Sequence, residues 1–171
     1  KLVVAHDAGQ LTISIPAIIP AIRTTFERQI NWTFDDNFSM FQQRLGKLAK
    51  REFHILKPPF SVCLVYVEWA IQVEDNHKLE HQIQKILFPE MESNWLDHAK
   101  ALSLDPHETK SFEEYFKWQN RFVDILGLWC QIYYGNDVFV TRDANIHEAT
   151  KKEALEKLGA RQISFPHEVS I

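Results

Sequence analysis

Cysteine is scarce in this chain, with 2 among 171 residues. Cys63 and Cys130 lie far apart, and neither belongs to a CxxC pair, so the sequence contains neither a disulfide framework nor a thiolate zinc site. This composition is typical of proteins from a reducing compartment, and it predicts a cytoplasmic location.

Long apolar runs and an excess of positive charge are also lacking. No stretch approaches the roughly 20 apolar residues that a membrane helix needs, and the first residues lack the pattern of a signal peptide. We therefore expect no membrane partner. The formal net charge of -4 and the pI near 6.1 provide no general attraction to polyanions, so nucleic-acid binding would depend on a local basic patch.

Glycine is equally scarce, with 5 residues, and the common glycine-dependent motifs of catalysis are missing. The sequence has no glycine-rich phosphate loop, no GxSxG nucleophile elbow and no Cys/His nucleophile pair. These absences argue against phosphate-loop nucleotide hydrolysis and against triad hydrolysis.

Hydrophobic residues, by contrast, make up 45% of the chain, which is ample for a core, and we expect a single domain over residues 1–171. The start of the chain predicts the last turns of a helix ending near Gly9, where a left-handed backbone costs least. Periodicity and turn residues then predict strands at 11–16, 53–60 and 61–71 and helices at 17–30, 34–51, 76–88 and 94–102. Trp95, Trp118 and Trp129 fall at helical spacing among apolar residues and are expected in the core.

The last third of the chain carries the clearest pattern. A long helix is predicted from Ser111 to Tyr134, followed by the strand DVFVT, a helix ending at Gly159 and the strand RQISFP. A strand, helix and strand in this order predict a parallel pair joined by a right-handed crossover, and DVFVT is apolar enough for a fully buried strand. The fold class is thus α/β, a three-layer arrangement with a small central, mainly parallel sheet flanked by helices.

Two acidic residues stand out in this region. Asp124 interrupts the apolar long helix, and Asp143 comes directly after the next strand, 19 residues later (143 minus 124). In open parallel sheets ligands bind at the carboxyl ends of strands. A buried carboxylate without partners costs several kcal/mol, so such a group must be protonated, paired or bound to a cation.

Structural roles compete with a metal-binding role for both acids. Asp143 has the residue type of a helix N-cap, although Asn145 with Glu148 three residues later makes a better capping box for the same helix. Asp124 has Arg121 within reach for an internal salt bridge. The residues alone support the structural and the metal-binding interpretations about equally.

The segments RFVDILGLWCQIYYGNDVFVTRDANI and KKEALEKLGARQISFPHEV resemble a PIN domain, the nuclease fold of many toxin ribonucleases and RNA-processing enzymes. In that family an acid-bearing helix leads to a strand ending in Thr-x-Asp, then to a helix, a Leu-Gly turn and a last strand. Residues 121–168 follow this order throughout. AHDAGQLTISIPAII is also similar to the family's helix, glycine and second strand.

The resemblance implies a nuclease that uses Mg²⁺ or Mn²⁺ to hydrolyse phosphodiester bonds of RNA. Asp124 and Asp143 match two of the family's metal-binding, catalytic carboxylates, and Thr141 matches the hydroxyl at the end of the strand. It also implies a protein antitoxin or a second copy of the chain as candidate partners. Hard divalent cations prefer carboxylate oxygen and neutralise charge on a phosphate, so this chemistry fits the two acids.

The chain departs from the family in two places. Only three residues separate Asp7 from the strand that follows, so we expect the family's first strand and first aspartate upstream of Lys1, in a domain that is N-terminally incomplete here. The family's glutamate after the second strand is missing, since Glu27 comes late in that helix. Residues around 74–118 form a helical insertion. The alternative function is a non-catalytic PIN-like module that binds protein or RNA.

Two further motifs were weighed. HKLEH, residues 77–81, matches the H-x-x-E-H pattern of zinc peptidases, but helical spacing places its polar residues mainly on a solvated face. The basic run with Arg44, Lys47, Lys50 and Arg51, together with Arg142, predicts contacts with a nucleic-acid backbone, although such a run is more often only a solvated helix face.

Overall fold

A computed structural model describes residues 2–16, 39, 43, 51, 53–60, 70–73, 76–108 and 111–169. The predicted helix at 17–30 and the predicted strand over 61–69 lie outside these residues. So does most of the predicted helix at 34–51, of which Ser39 and Gln43 are described and are helical.

The N-terminal part of the chain forms a helix and one parallel strand pair. Helix α1 (Leu2–Asp7) ends before Gly9, whose φ of 69° is the left-handed conformation predicted for it. Strand β1 (Ser14–Pro16) pairs in parallel with β2 (His54–Leu56), with Ile15 opposite Ile55. The predictions of a helix, a strand at 11–16 and a strand at 53–60 are confirmed here, with shorter bounds.

Three helices occupy the middle of the chain. They are α2 (Asn76–Leu87), α3 (Trp95–Ala101) and α4 (Phe112–Tyr134). Asn94 caps α3 because its Oδ1 accepts the Leu96 N–H at 2.7 Å. Helix α4 is one continuous element of 23 residues that ends at Gly135, whose φ is 66°.

The C-terminal part contains the predicted strand, helix and strand. Strand β3 (Val138–Val140) pairs in parallel with β4 (Gln162–Ser164), with Phe139 opposite Ile163, and helix α5 (Ala149–Leu158) connects them. The expected glycine ends α5, since Gly159 has a φ of 113°. One expectation is wrong: β3 is only partly buried, and Val140 is 39% exposed.

Helix α4 organises the core. It packs against α2 and α3, and it also contacts β1 and β3. The core combines buried side chains of α4 with buried side chains from other parts of the chain: Ile83, Leu87, Met91, Trp118, Phe122, Ile125, Leu126, Leu128, Trp129, Ile146, Leu155 and Ile163. Trp118 and Trp129 thus lie in the core as expected, whereas Trp95 is partly buried and packs against it.

The α/β class with parallel strand pairing is confirmed. Among the described residues the strands form two separate two-stranded sheets, β1 with β2 and β3 with β4. A search of the same residues finds no helix with the length and apolar character needed to cross a membrane.

Candidate carboxylate site

Asp124 lies on α4 beside the end of β3, where Asp143 follows the strand. Both side chains are partly buried, and the two carboxyl groups share a hydrogen bond. Burial is the main cause that raises the pKa of Asp124 to about 7, and the charge of Asp143 and this hydrogen bond add to it. The two acids that the sequence singled out are therefore neighbours.

Backbone and hydroxyl groups orient Asp143. The Asp143 N–H donates to Thr141 Oγ1 at 3.1 Å, and Asp143 Oδ1 accepts the Asn145 N–H at 2.9 Å. The second bond is a short side-chain-to-backbone turn of a kind common for aspartate. Asp143 therefore has a structural role as well, because its Oδ1 already accepts a hydrogen bond from the backbone.

The predicted capping box is wrong. Helix α5 begins after Glu148, which has a non-helical backbone and makes no side-chain cap bond. Asn145 instead lies three residues before the cap: its amide Nδ2 donates to the Leu87 carbonyl at 3.3 Å, and its Oδ1 accepts from Lys151 Nζ. Asn145 thus connects the loop after β3 to the end of α2 and does not cap α5.

The structural alternative for Asp124, a salt bridge to Arg121, gains no support. Arg121 Nη1 lies 3.9 Å from Glu114 Oε1, about two turns towards the start of α4. The guanidinium also lies over the Phe88 ring, 5.7 Å from its centroid. Asp124 is instead paired with a group of its own sign, which is the arrangement that a proton or a cation must neutralise.

The carboxylate pair is small for a metal site built from protein alone. A search of the described residues finds no group of three or more His, Cys, Asp and Glu side chains that could hold a metal ion. Glu27 lies outside the described residues. Mg²⁺ nevertheless commonly binds through one or two carboxylates and keeps several water ligands, so the donor set of Asp124 and Asp143 fits that cation.

No family model, curated protein or solved structure matches the chain. We therefore infer function from the geometry of the described residues.

The basic residues are only partly described. Arg51 forms a bidentate pair with Asp7, with Nη2 and Nε of the guanidinium at 2.8 Å from the carboxylate oxygens, so its charge is already engaged. Arg44, Lys47 and Lys50 lie outside the described residues. Arg142, between Thr141 and Asp143, is exposed beside the carboxylate pair.

The polar residues of HKLEH were predicted to lie mainly on a solvated face, and Glu80 departs from this prediction. His77 and His81 are exposed on α2 as expected, whereas Glu80 is only 8% exposed, and burial raises its pKa. A zinc-peptidase site needs both histidines and the glutamate around one open cavity. These three side chains do not share an environment, and this interpretation receives no support.

Sequence reasoning missed a stack of three rings next to Asp143. The ring centroids of His147 and Phe165 lie 3.5 Å apart, with an angle of 11° between the ring planes. The ring centroids of Phe165 and His167 lie 5.5 Å apart, with an angle of 20° between the planes. His147 comes from the loop after β3, and the other two rings follow β4. Periodicity could not reveal this cluster, because its members lie in loops that only the pairing of β3 with β4 brings together.

Proposed function

We propose that the protein is a divalent-metal-dependent nuclease that hydrolyses phosphodiester bonds of RNA, with Asp124 and Asp143 as its metal ligands. The observation that carries this proposal is that Asp143, which follows a parallel strand, lies close enough to the partly buried Asp124 for its charge to raise the pKa of Asp124. That end of a strand is the usual place for a ligand in an open parallel sheet. The resemblance of the sequence of residues 121–168 to a PIN domain favours the same function.

The chemistry of the pair suits Mg²⁺ or Mn²⁺. Two carboxylates in partly buried positions repel each other when both are ionised, and a divalent cation removes this repulsion. Carboxylate oxygen is the preferred ligand of hard cations. When bound, such an ion supplies Lewis-acid stabilisation of the phosphate and activates a water molecule.

The residues around the pair hold it in place. Thr141 accepts the Asp143 N–H, and the Asn145 N–H donates to Asp143 Oδ1, so the Asp143 carboxylate is fixed relative to β3. Helix α4 fixes Asp124 because the residues that follow it, from Ile125 to Gln131, are buried. Exposed Arg142 is placed to bind a phosphate oxygen of the RNA backbone.

Cleavage of a labelled single-stranded RNA in Mn²⁺ tests the proposal. The variants Asp124→Asn and Asp143→Asn keep the shape of each side chain and remove its charge, and we expect each to lower the cleavage rate ~100-fold or more. Asp97→Asn, an exposed aspartate in the first turn of α3, is the matched control and should cleave normally. Equal cleavage by all four proteins would overturn the assignment.

One observation favours a second function, a non-catalytic PIN-like module that binds RNA or a protein partner. The described residues bring together two acids and no third ligand, whereas a stable site made by protein alone needs more. This alternative predicts RNA binding without cleavage and a melting temperature that Mn²⁺ does not change. The nuclease predicts a rise in melting temperature with Mn²⁺ that is lost in Asp143→Asn.

A further inference from the structure

The ring stack next to Asp143 is a local structure held by specific bonds. The Phe165 N–H donates to Glu168 Oε2 at 2.8 Å, and the Glu168 N–H donates to the Phe165 carbonyl at 3.0 Å. The turn closed by these two hydrogen bonds places the His167 ring alongside the Phe165 ring. His167 is exposed, whereas Phe165 and His147 are partly buried, so the stack has an inner and an outer end.

The inner end of the stack is bonded to the segment that carries Asp143. His147 Nε2 lies 3.2 Å from the Thr141 carbonyl oxygen, and because a carbonyl only accepts, the imidazole must carry its proton on Nε2. The Thr141 N–H in turn donates to the Ser164 carbonyl at 3.1 Å, directly before Phe165. Rings and carboxylates are thereby held at the same end of the β3–β4 pair.

We propose that His147, Phe165 and His167 form a platform on which a base of single-stranded RNA stacks, against the solvent side of His167. The proposal rests on the nuclease function in one respect, since it places this base next to a phosphate that a metal ion bound by Asp124 and Asp143 would hold. Flat side chains, including histidine and phenylalanine, are the usual partners of unpaired bases.

The surroundings favour a nucleic acid over an apolar protein segment as the occupant. Arg142 is exposed in the loop between β3 and the stack, and it would meet the phosphate backbone. Glu168, an acid in the same turn as His167, accepts the Phe165 N–H and so has part of its charge engaged. Stacking on rings is tolerant of sequence, so the platform predicts binding of single strands with little preference among bases.

Binding in EDTA tests the platform without any dependence on metal or cleavage. The probes are a fluorescent single-stranded RNA of ten adenosines and the same backbone with abasic residues. We expect the intact protein to bind the first at least about fivefold more tightly, which is the effect of one stacked base. His167→Ala should remove this difference, and Phe165→Leu should reduce it.

His81→Ala is the matched control, because it removes an exposed imidazole from α2 and should leave binding unchanged. A 2-aminopurine base in the RNA gives a second readout: its fluorescence should be quenched by the intact protein and not by His167→Ala. Since His167 is exposed, circular dichroism should show unchanged folding for that variant.

The outcomes separate the platform from the nuclease. Base-dependent binding in EDTA without cleavage in Mn²⁺ supports the platform and contradicts the nuclease. Cleavage in Mn²⁺ with equal binding of the two probes, or unchanged binding by His167→Ala, overturns the platform alone. Failure to bind either probe also overturns it and leaves a protein as the partner of this surface.

Discussion

At the scale of single residues, Asp124 is the most perturbed group with a candidate role in function. Its pKa of about 7 results first from burial and then from the charge and hydrogen bond of Asp143. Near neutral pH the Asp124 carboxyl therefore carries a proton for much of the time. A divalent cation would compete with that proton, and metal affinity should therefore rise with pH.

This pKa predicts how stability depends on pH when no metal is present. A carboxyl group whose pKa is raised on folding stabilises the protein fully below its unfolded value and loses that contribution as pH rises through about 7. We expect Asp124→Asn, which cannot ionise, to melt at a higher temperature than the intact protein at pH 8 in EDTA. The difference should shrink or change sign at pH 5.

Thermal unfolding at both pH values checks this prediction, with Asp97→Asn as the control for loss of an exposed carboxylate. Curves of melting temperature against pH that run parallel for the intact protein and Asp124→Asn would contradict the raised pKa.

At the scale of elements, Gly127 sets how closely β3 approaches α4. A Cβ atom at this position would lie 3.2 Å from Phe139 Cε2 and 3.3 Å from Phe139 Cζ, which is closer than ordinary contact. Gly127 lies one turn after Asp124, so the approach of the strand also determines how Asp143 meets the helix. A glycine in a helix interior costs about 1 kcal/mol relative to alanine, so packing against Phe139 explains its presence here.

We expect Gly127→Val to lower the free energy of unfolding by about 1–3 kcal/mol, because the added methyl groups overlap the Phe139 ring. Phe139→Leu should relieve part of this cost. The double variant should therefore lose less free energy of unfolding than the two single variants lose in sum. Urea unfolding of the four proteins measures this coupling. Strict additivity would show that Phe139 is not what restricts position 127.

His98 ties α3 to α4 and makes their contact sensitive to pH. The side chain is 3% exposed, its Nδ1 accepts the Glu92 N–H at 3.5 Å, and its Nε2 lies 4.0 Å from Glu114 Oε1. Burial is the first cause that lowers its pKa and the charge of Arg121 is the second, while Glu114 and Glu92 oppose them. The folded protein therefore favours the neutral imidazole of His98 over the charged one.

A histidine with a lowered pKa stabilises the fold above its unfolded value of about 6.5, and this contribution is lost as pH falls towards the folded pKa. We expect His98→Gln to cost stability at pH 7.5 and to cost less at pH 5.5. The ionisation of Asp124 changes stability with pH in the opposite direction. Asp124 is present in both the intact protein and His98→Gln, so its effect cancels from the comparison. His81→Gln is the exposed control, and an equal cost for His98→Gln at both pH values would contradict the prediction.

At the scale of the whole molecule, α4 is the central element, since it contacts α2, α3, β1 and β3. Cys130 lies in its buried run, and burial raises the pKa of its thiol to about 12. A thiol in this state is unreactive, because the thiolate is the nucleophile and is disfavoured in an apolar environment.

We expect alkylation of Cys130, measured in a Cys63→Ser background, to proceed only through global unfolding. The labelling rate should then rise with denaturant along the slope of equilibrium unfolding. A cysteine introduced by Ala101→Cys, at an exposed position, provides the control and should react at once. Rapid labelling of Cys130 in water would show that α4 opens locally.

Much of the fold follows from local sequence. The apolar spacing predicted α4 and α2, Gly9 and Gly159 predicted two helix ends, and the strand, helix and strand order predicted the parallel pair of β3 and β4. The structure contains all of these. The candidate site was predicted less completely. Asp124 and Asp143 lie close together and their role as metal ligands stays a prediction, whereas the role predicted for Asn145 was wrong because its partner, the Leu87 carbonyl, is 58 residues away.

The sequence by itself determined where helices and strands form and which two acids interrupt apolar segments, because periodicity and turn chemistry act between neighbours. Only the tertiary structure decided that these acids touch, that Glu80 is buried and that His147 stacks on Phe165. These three facts depend on how α4, α2 and the two loops after β3 and β4 pack. Such packing is set by contacts between residues far apart in the chain, which no local pattern encodes.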